Sequence, residues 1–339
     1  MIADFAAAGG IRDGVRDAWL RYNGMRPVAV GIGNQKPGNG LEVLMSGRAN
    51  SLTFMERSLP ADLITATGLR NIGVRATTGG DHYSASLGVF GDDINNNNVT
   101  LDADEGWGVH GRASYAPIAT ADKVAHVGVS GYWRTIGADR GVNNVANARQ
   151  FRFRARPEIN VDGNRLVDSG VLANAEEARL LGVELAGVYG PVSVQGEYVV
   201  VAVDQDGPAA SHELVFDGGY VMASYFLTGE SRVYDARNGI FGRFKPKRNF
   251  SLSEGGWGAW ELALRASFID LNSHPDNLAG GGVRGGEQLD YTVGLNWYLN
   301  PYVRMMFNYV HADADNLSAA GLQKGATVDI YALRAQFEW

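Results

Sequence analysis

The chain has 339 residues, no cysteine and a formal net charge of −7 at pH 7. The lack of cysteine excludes disulfides, thiol nucleophiles and cysteine-ligated zinc, and no apolar run approaches the roughly 18 residues of a transmembrane helix. Glycine, tyrosine, tryptophan and valine are abundant, which is typical of many strands joined by turns and predicts an all-β protein.

Alternation of apolar residues with small or polar ones recurs along the whole chain. In residues 83–89, "YSASLGV", every second side chain is apolar and the others are small or polar. Counting such segments predicts about fourteen strands. In chain order they are residues 17–22, 28–33, 72–77, 83–89, 107–115, 126–134, 151–156, 183–189, 192–198, 216–227, 260–268, 289–297, 303–309 and 331–339.

The polarity of the two strand faces indicates where the sheet lies. One face is continuously apolar, and the other carries Gly, Ser, Asn, Glu and Arg. A barrel with its polar face inside and its apolar face outside would expose the apolar face to water. The pattern therefore favours an antiparallel up-and-down transmembrane β-barrel over a soluble propeller or sandwich. Short turns, as in "YGPV", alternate with longer polar loops, and aromatic residues such as Tyr189, Tyr298 and Trp107 mark strand ends, as in outer-membrane barrels.

Two long segments interrupt the alternation. Residues 34–66 carry charged residues and are expected either to fold into the lumen and narrow it or to form an extracellular flap. Residues 229–256 are basic in their middle, which predicts a pore mouth that gathers anions, with a solvated face as the alternative. The charged residues singled out in the first segment are Lys36, Arg48, Glu56 and Arg57, and those in the second are Arg243, Lys245, Lys247 and Arg248.

Residues 149–159, "RQFRFRARPEI", place three arginines at alternate positions. On a strand, Arg152, Arg154 and Arg156 would share one face at a spacing of about 6.7 Å. Arginine binds oxyanions with a planar fork of donors, and several moderate sites in a row allow an anion to move on. The column therefore predicts an anion relay. The alternative is that the arginines pair with lumenal carboxylates such as Glu184, Glu197 or Glu261 and leave a nearly neutral pore.

No enzyme chemistry is predicted. The six histidines are scattered, without the spacing of a zinc site or a catalytic triad, and there is no phosphate-binding P-loop. We therefore expect no cofactor, no metal and no nucleic-acid partner.

Several stretches resemble the phosphate- and polyphosphate-selective porins of Gram-negative outer membranes. They are "DAWLRYNG" (17–24), "LTFMERSLPADL" (52–63), "RNIGVRATTGGDHYSASLGVFGDD" (70–93), "FRFRARPE" (151–158), "GRFKPKRNF" (242–250), "GGWGAWELALRASFIDLN" (255–272) and "YTVGLNWYLNPYVRMMFNYVHAD" (291–313). The resemblance implies a sixteen-stranded, homotrimeric barrel in the outer membrane, in which an arginine ladder leads anions to a constriction. By motif the ladder falls on Arg152, Arg154 and Arg156, and Arg57 in "MERSLP" belongs to the constriction, with Arg48 and Glu56 nearby.

One departure concerns the N-terminal region. Members of the family carry further N-terminal strands, so about two strands are expected to be missing, and the chain begins without a signal peptide. We predict a single porin domain over residues 1–339, incomplete or closing with fewer strands, that passes anions, phosphate or polyphosphate above all. The alternatives are a general, weakly selective porin and a structural or adhesion barrel plugged by its loops. A measurement of ion conductance would distinguish the plugged barrel from a pore.

Overall fold

A single antiparallel sheet dominates the computed structural model, which describes residues 2–5, 15–45, 51–92, 106–137, 139–140, 146–147, 150–160, 163–205, 213–315 and 325–338. Fourteen strands form this sheet, and each pairs with the next long strand along the chain. They are β1 (Ile2–Phe5), β2 (Val15–Met25), β3 (Val28–Gln35), β4 (Asn71–Gly79), β5 (Tyr83–Phe90), β6 (Gly108–Ala119) and β7 (Lys123–Thr135), then β14 (Ala175–Tyr189), β15 (Val192–Gln205), β16 (Leu214–Phe226), β19 (Ala259–Ser273), β20 (Val283–Asn300), β21 (Val303–Asp315) and β22 (Ala326–Phe337).

Among the described residues, eight strands of two residues each pair outside the main sheet. They are β8 (Asp139–Arg140), β9 (Ala146–Asn147), β10 (Gln150–Phe151), β11 (Arg154–Ala155), β12 (Val167–Asp168), β13 (Leu172–Ala173), β17 (Tyr234–Asp235) and β18 (Ile240–Phe241). The described helices are α1 (Leu41–Met45), α2 (Pro60–Ile64) and a 3-10 turn at Leu278–Gly280. Pro60 suits the first turn of α2, where its missing N–H leaves no helical bond unmade. None of these described helices is long and apolar enough to cross a membrane.

The two faces of the sheet differ as the alternation predicts. On β14, Val183 and Leu185 expose 48% and 62% of their surface, whereas Glu184 between them exposes 2%. Leu87, Val194 and Leu264 continue the exposed apolar face on other strands. Tyr189 and Trp107 lie on it near strand ends, but Tyr298 does not, because it is buried and donates to Glu261 on the opposite face.

The buried face curls around the described residues between β3 and β4, 36–45 and 51–70, which we call the first inward segment. The backbone carbonyl of Lys36 accepts from Arg75 on β4, while that of Met55 accepts from Arg334 on β22. Between them, the N–H of Leu41 donates to Glu197 on β15. Strands from near one end of the sheet order, from its middle and from its other end therefore contact one segment, so the sheet curves around it.

Two further segments pack on the same face. The second inward segment comprises the described residues between 150 and 174, which precede β14, and it carries the hairpin strands β10–β13. The third inward segment, residues 227–258, connects β16 to β19 and carries the hairpin β17–β18. Ile240 and Phe241 of this hairpin pack against Leu41 and Met45 of α1.

The prediction that residues 151–156 form one wall strand is wrong. In this stretch only Phe151, Arg154 and Ala155 are in strands, and their partners are in other parts of the same inward segment. The phenylalanines need an apolar neighbour, and they find it on the inner wall of the sheet instead of in lipid. In place of the predicted strand 151–156, the fourteen strands of the sheet include β1, which the alternation does not predict.

Candidate functional site

The alternation of "RFRFRAR" persists in the hairpins of the second inward segment. Phe151, Phe153 and Ala155 are buried, Arg152 and Arg154 are exposed, and Arg156 is partly buried. The hairpin pairings place Arg154 opposite Asp168 and Phe151 opposite Leu172. The three arginines thus keep one side of the chain, as predicted, although the segment is not a wall strand.

Aromatic packing fixes this hairpin to the wall. The ring of Phe153 lies 5.0 Å, centroid to centroid, from that of Phe216 on β16, and 4.9 Å from that of Phe151. Leu63 of α2 belongs to the same buried cluster. The first and second inward segments therefore share a core with the wall, and the arginines face away from it.

Arg152 has a carboxylate partner on the neighbouring hairpin strand. Its Nε donates to Asp168 at 2.8 Å, and its Nη2 donates to the second carboxylate oxygen. Burial alone would raise the pKa of Asp168, but hydrogen bonds from Arg152 and the Gly170 N–H, together with the charges of Arg152 and Arg154, lower that pKa below its ordinary value. Arg152 is therefore neutralised locally at neutral pH, whereas Arg154 has no ion-pair partner within the described ranges.

A fourth arginine of the same segment, Arg165, joins this group. Its Nη1 donates to the backbone carbonyl of Arg154 at 3.0 Å. Partial burial and the like charges of Arg154 and Arg156 lower the pKa of Arg165, with Asp62 and Asp168 opposing that shift. Sequence reasoning missed this residue because "DGNRLVDSG" carries no alternating charge, and only the hairpin pairing brings it beside Arg154.

The two inward segments meet at Asp62 on α2. The backbone N–H of Arg156 donates to the Asp62 carboxylate, and the charges of Arg57, Arg165 and Arg156 act on it. Burial outweighs these attractions and raises the pKa of Asp62 above its ordinary value. We call Arg57, Arg152, Arg154, Arg156 and Arg165 the arginine cluster. Within the described part of the chain, the carboxylates that interact with this cluster include Asp62 and Asp168.

Glu56, which is also predicted for the constriction, does not belong to the arginine cluster. Glu56 is paired with Arg334 of β22 and accepts from Asn160 at 2.8 Å, so it joins the two inward segments to the wall. Arg48 lies outside the described residues.

Three wall carboxylates considered as alternative partners of the arginine column form their contacts with other residues. They are Glu184, Glu197 and Glu261. Glu184 pairs with Arg112 at 2.5 Å. Glu197 accepts from the N–H groups of Leu41 and Glu42 at the start of α1, and Glu261 accepts from Tyr298 and Asn296. These three acids therefore bind other wall residues and the first inward segment.

The basic residues of the third inward segment lie where it crosses the rim of the sheet. Phe244 stacks on Phe226 of the inner face, and Phe250 meets Trp297 of the outer face edge to face. Lys245, Lys247 and Arg248 lie between these two contacts and are exposed. Arg243 donates to the Pro301 carbonyl, and Lys247 Nζ donates to the Gly229 carbonyl at 2.6 Å.

A cavity of about 750 Å³ opens at the end of the sheet where the turns are short. Its lining includes the five arginines Arg21, Arg26, Arg75, Arg112 and Arg237. No described residue that lines it carries a carboxylate, although Arg112 pairs with Glu184 just beyond the lining. We call it the basic cavity.

Comparison with known sequences decides the family. A family model with the description "Phosphate-selective porin O and P" matches residues 2–339. The chain belongs to this porin family. Porin O of Pseudomonas aeruginosa is 27% identical to it over 316 residues, which are 89% of this chain and 69% of Porin O. An uncharacterised protein of Caulobacter vibrioides is 32% identical over 299 residues, which are 86% of this chain and 55% of that protein.

Solved structures show the same fold. OmpT of Vibrio cholerae, expressed in the outer membrane, has a TM-score of 0.51 at 12% identity and covers 96% of this chain and 82% of its own. The in-vitro folded OmpT has a TM-score of 0.50 at 13% identity, over 96% of this chain and 80% of its own. This porin-family chain is thus a β-barrel protein of the Gram-negative outer membrane, and it spans about half the length of its Caulobacter relative.

Arginines of the basic cavity are functional candidates of this porin that sequence reasoning missed. Arg75 on β4 and Arg112 on β6 occupy polar positions of predicted strands, which is the one signal that marked them. Their convergence with Arg237, far along the chain, depends on the third inward segment reaching the wall beside β6, where Arg112 donates to the Gly239 carbonyl at 2.6 Å.

Proposed function

We propose that this protein forms a passive, water-filled pore that favours anions, phosphate or polyphosphate above all, and performs no chemistry. The arginine cluster is the chief support for this proposal: among the described residues it brings together five arginines with the carboxylates Asp62 and Asp168, near the meeting of the first and second inward segments. Charge of one sign in a narrow, low-dielectric passage attracts ions of the opposite sign and repels the others.

Phosphate fits the cluster better than chloride does. A guanidinium donates two parallel hydrogen bonds to an oxyanion and stays charged at any physiological pH. Arg152 and Arg154 are exposed at alternate positions, and Arg165 lies beside Arg154, so an oxyanion has several neighbouring sites of moderate strength. Such a series permits binding without trapping the ion.

The basic cavity extends the proposed pathway toward the short-turn end. Short turns face the periplasm in outer-membrane barrels. We propose that anions pass the arginine cluster first and the arginines of the cavity afterwards. We further propose that the sheet closes in the membrane, since open edges are costly in lipid, and that the pore assembles as a homotrimer.

Planar-bilayer recording tests this function. Single-channel current is measured in potassium chloride, with and without added phosphate, on the parent and on the triple variant Arg152→Ala, Arg154→Ala, Arg156→Ala. We expect an anion-selective parent current that phosphate blocks. In the triple variant, the half-blocking concentration should rise about tenfold or more, because each lost charge-assisted hydrogen bond contributes about 1.5–3 kcal/mol.

Arg179→Ala is the matched control. Arg179 is an exposed arginine of the outer face and pairs with Asp204 and Glu213, so its loss should leave the block unchanged. A current without selectivity, or a block that the triple variant does not alter, would refute the anion pathway and favour a general, weakly selective porin.

A second candidate is a structural barrel plugged by its inward segments. It is favoured by the burial of wall side chains under those segments: Glu197, Asp290 and Arg304 expose 6% or less of their surface. A correctly inserted parent protein that passes no current would support this candidate.

A further inference from the structure

Arg265 on β19 contacts both the first and the second inward segments from one fully buried position. Its Nη1 donates to Glu42 Oε1 and to the backbone carbonyl of Glu56, both at 3.1 Å. Its Nε donates to Glu158 Oε2 at 2.8 Å, and its Nη2 donates to the same oxygen at 2.5 Å. The guanidinium also lies over the ring of Phe54, 4.4 Å from its centroid.

The two carboxylates that bind Arg265 are themselves held by further donors. The second oxygen of Glu42 accepts from both the N–H and the hydroxyl of Ser58, which closes the first inward segment on itself. Glu158 also accepts from the hydroxyls of Ser267 and Thr292, and its own N–H donates to Asp290. Every group of this network is hydrogen-bonded, which gives each side chain one position.

The network lies directly beside the arginine cluster along the chain. Glu56, whose carbonyl binds Arg265, precedes Arg57, and Glu158 follows Arg156 by two residues. A shift of either backbone at the network would therefore move a cluster arginine. Arg265 also compensates the charges of two buried carboxylates, Glu42 and Glu158.

We propose that Arg265 is a positioning residue that clamps the two inward segments to the wall, and that it sets both the width and the charge of the passage. The proposal rests on the function proposed above, namely that the protein is a pore. Arg265 touches no ion in this scheme. It acts by holding Arg57 and Arg156 in place and by neutralising Glu42 and Glu158, since removing one partner of a buried ion pair leaves the other charge uncompensated.

Three variants separate position from charge. Arg265→Met removes the charge and the hydrogen bonds while keeping an unbranched side chain. Arg265→Lys keeps the charge but loses the fork of donors. The triple variant Arg265→Met, Glu42→Gln, Glu158→Gln removes the clamp without leaving free carboxylates. Arg179→Met is the control, because Arg179 is a wall arginine of β14 on the outer face that pairs with Asp204 and Glu213, which are not part of the inward segments.

Each variant is recorded in planar bilayers for conductance, current noise and the chloride-to-potassium permeability ratio. For Arg265→Met we expect noisier current and altered conductance; at alkaline pH, where Glu158 ionises although burial raises its pKa, the two released charges should also lower the permeability ratio about threefold or more. The triple variant should regain the permeability ratio but keep the noise. Arg265→Lys should keep the ratio and gain noise, and the control should match the parent in all three measurements.

Limited trypsin digestion in detergent provides a readout that does not need current. Loosened inward segments should be cut earlier after Arg57 and Arg154 in Arg265→Met than in the parent, with the wall strands intact by heat-modifiable gel migration; Arg156 precedes Pro157 and is not a trypsin site. Parent-like current and parent-like digestion in both Arg265→Met and Arg265→Lys would overturn the clamp. A parent that passes no current would refute the proposed pore, while the digestion still decides whether Arg265 holds the segments.

Discussion

Replacing Asp168 by Asn should strengthen anion binding in the arginine cluster. Asp168 neutralises Arg152 through two hydrogen bonds, so the substitution adds one uncompensated positive charge beside Arg154 and Arg165. The side chains of Arg152 and Asp168 are 44% and 29% exposed, so a near-aqueous dielectric applies. A unit charge about 4 Å from an anion then contributes about 1 kcal/mol, which corresponds to roughly fivefold tighter binding.

The assay is the phosphate concentration that halves the single-channel chloride current. We expect this concentration to fall about fivefold in Asp168→Asn, the direction set by Coulomb attraction. Asp204→Asn is the control, because it removes one carboxylate partner of an arginine, Arg179, that lies on the outer face away from the inward segments. An unchanged or higher half-blocking concentration in Asp168→Asn would show that Arg152 does not bind the ion and would refute the reasoning.

Lowering the pH should strengthen anion binding in the parent as the Asp168→Asn substitution does. Because the pKa of Asp168 in the folded protein lies below its ordinary value, the carboxylate stays ionised, and its pair with Arg152 intact, above about pH 5. The stabilisation by this pair is lost only as the pH falls through the lowered pKa. Asp168 should therefore cause no change in the preference for chloride over potassium between about pH 5 and 8, and this preference should rise at lower pH. The rise should be absent in Asp168→Asn.

Three further predictions follow from the same contacts. Arg165→Ala should raise the half-blocking phosphate concentration several-fold in the bilayer assay, because it removes the cation beside Arg154; an unchanged block would place Arg165 outside the pathway. Asp62→Asn should lower that concentration, since it removes a carboxylate among Arg57, Arg156 and Arg165, and a rise would show that Asp62 organises the site instead. Phe153→Ala should lower thermal stability by about 3–5 kcal/mol in unfolding experiments and increase current noise, because it empties a fully buried position; a loss below about 1 kcal/mol would contradict the packing.

The sequence by itself determined the sheet and its orientation. Alternation of residues such as Val183, Glu184 and Leu185 specifies a strand with one apolar and one polar face, because successive side chains point to opposite faces. It also determined that Arg152, Arg154 and Arg156 share one side of the chain. These are local properties of the backbone, and the family resemblance agreed with them.

Only the tertiary structure decided what each face meets. A local pattern cannot distinguish lipid from the inner wall as the apolar neighbour of Phe153, so "RFRFRAR" read as a wall strand although it lies in an inward hairpin. The meeting of Arg165 with Arg154, and of Arg265 with Glu42 and Glu158, joins residues from distant parts of the chain. Such contacts exist only once the sheet has curled around its inward segments, because sequence spacing does not specify which loops share one lumen.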